Sequence, residues 1–203
     1  MTVMDSHKFP EGMLYLPNSN AVFLHIPKTG GTWVRSILHA SCKVEVVGYS
    51  HIHHLAFARK ELTANAQPFC FVRHPATWLQ SYWADRQIVG WGGDLPIAHD
   101  CQSDDFNEFA TKVETEHPGY VGELFAKYTG AGVWVGKFEN LSLDLNAFLL
   151  KLNEPADLAL SKGGEPLNVC SKRPDLANRC IYRPEVWDLV AEKEREAIER
   201  YGY

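Results

Sequence analysis

Apolar residues along this chain alternate between short unbroken runs and staggered positions three or four residues apart. Ala21-Val-Phe-Leu-His-Ile26 is an apolar run closed by Pro27, which predicts a buried strand. Val34, Ile37 and Leu38 then follow at helical spacing. Lys43–Val47 and Pro68–Val72 predict further strands, with a helix over Leu55–Leu62 between them. Pro75 suits the first turn of another helix. Ser103 suits a helix cap, with Asp104 and Asp105 in the first turn and Phe106, Phe109, Ala110 and Val113 as the buried stripe. Gly132-Val-Trp-Val-Gly136 predicts a fourth strand, and Leu141, Leu145, Phe148, Leu149 and Leu152 an amphipathic helix. One last helix is expected after Pro184, with Val186, Leu189, Val190, Ala197 and Ile198 inward. Residues 1–20, with Pro10, Gly12 and Pro17, read as an irregular arm, and residues 87–103, rich in Gly and Trp, as a functional loop.

Strands alternating with helices predict an α/β fold of three layers, a mainly parallel central sheet flanked by helices. Right-handed crossovers place the strand-to-helix loops along one sheet edge, where ligands of such folds bind. No internal repeat or long linker interrupts the pattern, so the 203 residues predict a single domain.

Composition narrows the function classes. The chain is 45% hydrophobic, enough for a sizeable core, and carries a formal charge of −5, which argues against a general nucleic-acid partner. An anionic ligand must therefore be captured by local geometry. The first residues lack the apolar stretch of a signal peptide and no run reaches the length of a membrane span, so a soluble, cytoplasmic protein without a membrane partner is expected. The five cysteines (Cys42, Cys70, Cys101, Cys170, Cys180) are odd in number and form no CxxC pair, which favours reduced thiols over a disulfide framework or a zinc site. A Cys170–Cys180 pair is the one alternative. Nothing in the sequence sets an oligomeric state.

The most informative stretch is His25-Ile-Pro-Lys-Thr-Gly-Gly-Thr-Trp33, which joins a buried strand to a helix start. Gly30 and Gly31 allow backbone amides to approach an anion, and the helix N-terminus adds N–H groups and a positive dipole end. Lys28 adds a point charge, Thr29 and Thr32 hydroxyl donors. A Walker A loop places its lysine after the glycines, whereas here the lysine precedes them. An ordinary Gly-Gly turn with an exposed lysine is the competing reading.

Pro27-Lys-Thr-Gly-Gly-Thr-Trp33 resembles the 5′-phosphosulfate loop of the sulfotransferases that use 3′-phosphoadenosine 5′-phosphosulfate (PAPS). The resemblance implies a P-loop NTPase-like fold in which Pro27, Lys28, Thr29, Gly30, Gly31 and Thr32 hold the phosphosulfate. Trp33 matches a position where family members stack a ring on adenine; a core tryptophan is the alternative. Phe69-Cys-Phe-Val-Arg-His-Pro75, with Ser81 eight residues after Arg73, resembles the family's 3′-phosphate motif, and this assigns Arg73 and Ser81 to that phosphate. His74 departs from the usual Asp or Asn, and Trp78 and Tyr82-Trp83 depart from the bacterial pattern. Later blocks, Val135–Leu141 with Asp144-Leu145, Pro166–Asn168 and Glu199–Tyr203, resemble the small bacterial members more weakly.

Sulfuryl transfer to a hydroxyl needs a base at the attacking oxygen and positive charge at the leaving phosphate. Lys28 suits the second role. Ser50-His-Ile-His-His54 follows the second strand, and its His51-Ile52-His53 resembles the pair in carbohydrate-type family members, where one histidine is the base. His53 is the first candidate and His51 the second, against a solvated loop or a metal site. His25 reads as structural. Lys172-Arg173 matches, loosely, a basic loop over the nucleotide, and Glu139 reads as a brace. Trp91 and Tyr120, in the 87–120 stretch, are stacking candidates for a carbohydrate or small-molecule acceptor, or simple packing residues.

The expectation is a PAPS-dependent sulfotransferase that requires no metal and leaves adenosine 3′,5′-bisphosphate. A nucleotide kinase of the P-loop class and a non-catalytic nucleotide-binding module are the rivals.

Overall fold

The computed structural model describes residues 12–47, 55–56, 58, 65–93, 95–155 and 173–203. His51, His53, His54, Pro166–Asn168, Cys170 and Lys172 lie outside them, as does most of the helix expected over Leu55–Leu62, of which 55, 56 and 58 are helical. The chain divides into two compact units, residues 1–72 with 126–166, and residues 73–125 with 167–203.

The first unit carries a five-stranded sheet ordered β3-β1-β2-β4-β5: β1 (Met13–Leu16), β2 (Ala21–Phe23), β3 (Glu45–Val47), β4 (Gln67–Val72) and β5 (Trp134–Lys137). β2, β4 and β5 pair in parallel, while β1 pairs antiparallel with both β2 and β3. The class is α/β, but the sheet is mixed and not the mainly parallel one expected. The cause is β1, which the prolines and glycine of the first twenty residues disguised as an irregular arm. Met13-Leu-Tyr-Leu16 pairs across a tight turn, Leu16 opposite Ala21, with Asn20 at φ 53 at its end.

Reversing direction twice, from β2 to β1 and from β1 to β3, leaves β3 running the same way as β2. The carboxyl ends of β2, β3, β4 and β5 therefore share one sheet edge. Leu24 N–H donates to the Phe69 carbonyl at 2.8 Å, so the β2–β4 ladder continues past β2 toward that edge.

Two helices of this unit, α1 (Gly31–Ser41) and α6 (Leu141–Lys151), follow strand ends. Val34, Ile37 and Leu38 from α1 and Leu141, Leu145, Phe148 and Leu149 from α6 join Leu14, Leu16, Phe23, Phe69 and Phe71 in one buried core. The stripes read from the sequence are the buried ones, except that Leu152 is half-buried and stands at the C-cap beyond α6. Phe148 packs at a tilt on Phe69 and stacks on Trp134, at centroid distances of 4.6 and 4.4 Å. Each such side chain contributes about 1.5–3 kcal/mol by leaving water. Buried Arg35 donates to the Gly12 carbonyl at 2.6 Å, fastening the start of β1 to α1.

The second unit is helical: α2 (Pro75–Val89), α3 (Ile97–Asp100), α4 (Phe106–Glu116), α5 (Tyr120–Ala126, through Phe125), α7 (Pro174–Arg179), α8 (Pro184–Lys193) and α9 (Arg195–Tyr201). The expected 87–103 loop is partly helix, its start lying in α2 and residues 97–100 forming α3. The cap of α4 is Asp105 and not Ser103: Asp105 Oδ1 accepts from Glu108 N–H at 2.8 Å. Ser103 stands outside the helix, accepting from Asp105 N–H at 3.1 Å and donating to the Glu108 carboxylate at 2.9 Å. Phe106, Phe109, Ala110 and Val113 are all buried, as their stripe required.

The single last helix expected after Pro184 is two, interrupted at Glu194. Val186, Val190 and Ala197 are buried, while Leu189 and Ile198 are only half-buried. Glu194 carries the tertiary contact that explains the interruption. Its carboxylate accepts from Val121 N–H at 2.6 Å and Gly122 N–H at 2.9 Å, the first-turn amides of α5. Among the described residues, no helix is long and apolar enough to cross a membrane.

Candidate functional site

The Pro27–Thr32 turn leaves the carboxyl end of β2 and enters α1 at Gly30. Both Trp33 and Val34 donate their N–H to the Gly30 carbonyl, at 3.0 and 3.1 Å, so the helix ladder begins there. The amides of Gly31 and Thr32 precede that ladder in the first turn of the helix, where Gly31 is buried and Thr32 exposed. Its N-cap residue, Gly30, has no side chain to cap the helix, and no acidic residue stands in its first turn. An uncapped helix start of this kind favours an anion.

The two glycines are required for different reasons. Gly30 sits at φ 80, where a side chain is strained, and a Cβ there would meet Leu141 Cδ2 at 2.5 Å. Gly31 has an ordinary φ, but the imidazole of His25 occupies the space its Cβ would need. His25 also stacks on Phe23, with ring centroids 6.0 Å apart. It is half-buried and braces the turn, in line with a structural role.

Thr29 is 1% exposed and its hydroxyl donates to the Ile26 carbonyl at 2.9 Å. This corrects the expectation that the Thr29 side chain serves as an anion donor, because its one O–H is committed to holding the turn. Its contribution to a ligand is left to its backbone. Thr32 is exposed, so its hydroxyl is open to solvent. Trp33 is half-buried and packs against the core of the first unit, which gives it a packing role beside any stacking one.

Lys28, half-buried beside these groups, has a backbone φ of 64. Only Asn20, Lys28 and Asn153 among the described non-glycine residues have positive φ. Asparagine tolerates that conformation; an ordinary side chain loses roughly 1–2 kcal/mol in it. A glycine would relieve the strain, yet the position holds a lysine.

In the second unit, Arg73 is 4% exposed and directs Nε to Thr77 Oγ1 at 3.0 Å; Thr77 in turn donates to the His74 carbonyl at 3.0 Å. His74 replaces the side-chain oxygen of an Asp or Asn cap: its Nδ1 accepts from Ala76 N–H at 3.2 Å and starts α2. Ser81, two turns into α2, is 3% exposed, and no hydrogen bond to its hydroxyl occurs among the described residues. The unusual Trp78 and Tyr82 stack on each other at 5.1 Å, and Trp78 and Trp83 are fully buried. They are core residues.

Tyr120 is also a packing residue, 8% exposed and 6.2 Å from the Trp78 ring, whereas Trp91 is half-buried and packs at a tilt on Phe109 at 5.5 Å. Arg173 is exposed and closes a two-bond pair with Asp175, Nε–Oδ1 3.0 Å and Nη2–Oδ2 2.8 Å. Cys42, Cys70, Cys101 and Cys180 are free thiols.

The sequence missed two groupings of the second unit. Glu114 and Glu194 are both 1% exposed. Burial, with the Glu194 carboxylate adding to it, pushes Glu114 up to about 8; burial, opposed by the Val121 and Gly122 amides and helped by Glu123, pushes Glu194 up to about 7. Glu114 Oε2 accepts from Gly119 N–H at 3.3 Å, while its Oε1 finds no hydrogen-bond partner among the described residues. The second grouping is Cys101, Glu116 and His117, brought together by the ends of α3 and α4. Neither shows in the sequence, because Glu114 and Glu194 are far apart along the chain and Cys101 has no motif spacing to the adjacent Glu116 and His117. No family model, curated protein or solved structure matches the chain.

Proposed function

We propose that the protein is a PAPS-dependent sulfotransferase with a P-loop NTPase-like fold, moving a sulfuryl group to a hydroxyl of a carbohydrate or small-molecule acceptor. The observation that carries the reading is Lys28 held at φ 64 next to an uncapped helix start. A strained cation at a strand-to-helix turn is what stabilising a developing anion calls for, and a mere connection would use glycine.

In this reading the amides of Gly30, Gly31 and Thr32 hold the 5′ phosphosulfate, and Trp33 lies by the adenine. Arg73 and Ser81 take the 3′ phosphate: a buried guanidinium and a buried hydroxyl suit an anionic oxygen. The acceptor oxygen attacks sulfur, the bond between sulfur and the bridging 5′-phosphate oxygen breaks, and Lys28 neutralises the oxygen that leaves. The acceptor proton passes to His53, or to His51. Both lie outside the described residues, but β3 ends at Val47 on the same sheet edge as β2, and they follow four and six residues later.

Calorimetry with adenosine 3′,5′-bisphosphate, followed by acceptor screening with labelled PAPS, tests the reading. Binding and acceptor-dependent label transfer are expected. A chain that binds neither PAPS nor the bisphosphate, or that prefers ATP with magnesium, overturns it.

A further inference from the structure

Cys101 closes α3, and Glu116 and His117 close α4. The thiol sulfur, a Glu116 carboxylate oxygen and a His117 ring nitrogen all lie within 4.8 Å of one another. Tetrahedral zinc, with bonds of 2.0–2.3 Å, holds its ligand atoms about 3.5 Å apart, so the gap is one that side-chain rotation can close. The exposed Glu116 has the freedom to do so, and it opens the site to solvent as an entry path.

The chemistry of the set is selective. A thiolate, an imidazole and a carboxylate match a borderline-soft divalent ion, whereas magnesium and calcium take all-oxygen ligands. Asp100 supplies the outer support such sites use, its Oδ2 lying 3.0 Å from His117 Nε2. That contact fixes the ring.

Local charge points the same way. Burial above all, then Glu116, Asp100 and Glu114 against the one cation Lys112, pushes the Cys101 thiol up to about 12, so the thiol keeps its proton until a cation displaces it. Lys112 is already tied to the Glu108 carboxylate at 2.8 Å and to the Gln102 carbonyl at 3.3 Å. The carboxyl end of α4 adds its own negative potential.

We propose that Cys101, Glu116 and His117 bind a zinc-class divalent cation, with Asp100 orienting His117 and water completing the coordination. Binding displaces the thiol proton to solvent and ties the end of α3 to the end of α4. The site lies within the second unit and is independent of the transferase reading.

The test uses the full chain, reduced and stripped with a chelator, titrated with Co²⁺. A thiolate-to-cobalt charge-transfer band is expected, bleached by Zn²⁺, absent in Cys101→Ala, and unchanged in Cys42→Ser. Affinity is expected to fall about tenfold or more in Asp100→Asn, with the band retained. Absence of the band in the native sequence, or its survival in Cys101→Ala, overturns the proposal. Cys101 is fully buried, so its variant can fail to fold; the more exposed His117→Gln supplies the second measurement. Zn²⁺ is expected to raise the thermal midpoint of the native chain but not of His117→Gln, and an equal shift in both, or none in either, overturns the site.

Discussion

The imidazole of His25 fills the space that a side chain at Gly31 would occupy. Strand end and helix start are thus interlocked through a residue that has no side chain. Gly31→Ala is expected to push the whole ring aside, since Cγ lies as close as 2.7 Å to the added carbon. Overpacking of this kind costs about 1–3 kcal/mol. Chemical denaturation should show that loss, calorimetry should show weakened adenosine 3′,5′-bisphosphate binding, and His25→Ala in the same chain should recover part of the stability. An unchanged Gly31→Ala protein would refute the interlock.

Lys28 separates stability from function. Lys28→Gly relieves the positive φ and is expected to gain up to about 1 kcal/mol, while sulfuryl transfer is lost. Lys28→Ala should lose transfer equally without that gain. Denaturant midpoints and label transfer, measured on both variants, check the split; activity retained in either removes Lys28 from the chemistry.

Ser81 is buried, and its hydroxyl makes no bond among the described residues, so Ser81→Ala should change stability by less than about 1 kcal/mol. If it meets the 3′ phosphate, affinity for adenosine 3′,5′-bisphosphate should fall by roughly tenfold, the loss of about one hydrogen bond to a charged group. Affinity for adenosine 5′-phosphate should stay the same. Equal losses for both nucleotides would remove the assignment.

Glu114 and Glu194 give the second unit a distinctive pH dependence. Both folded-state values, about 8 and about 7, stand above the ordinary carboxyl value of 4.5. The folded chain therefore holds protons that the unfolded chain has released, and stability falls as pH rises from about 4.5 to about 8, then levels. Glu114→Gln, which keeps an acceptor for Gly119 N–H, is expected to flatten the profile. At pH 8 it should be the more stable form, by on the order of 2 kcal/mol. Parallel profiles for the two proteins from pH 5 to 8 would show that Glu114 does not hold its proton.

Much of this protein was legible in the sequence because the signals are local. Ala21–Phe23, the helical stagger of Val34, Ile37 and Leu38, and the stripe of Phe106, Phe109, Ala110 and Val113 each follow from one segment burying one face. Pro75 at the start of α2 and the glycines between β2 and α1 are likewise local demands of backbone geometry. The sequence alone determined these, together with the placing of Lys28 ahead of two glycines.

What tertiary structure decided depends on groups that meet only after folding. β1 enters the sheet between β2 and β3 because a turn at residues 17–20 returns the chain, and this makes the sheet mixed. Thr29 spends its hydroxyl on Ile26 and His25 lies over Gly31, so the chemistry left to the turn falls to backbone amides, the Thr32 hydroxyl and Lys28. Glu194 divides the last helix in order to cap α5, 73 residues away. The Cys101–Glu116–His117 group arises from the ends of two helices. Sequence periodicity reports which face of one element is buried; it carries no record of which distant polar groups that burial brings together.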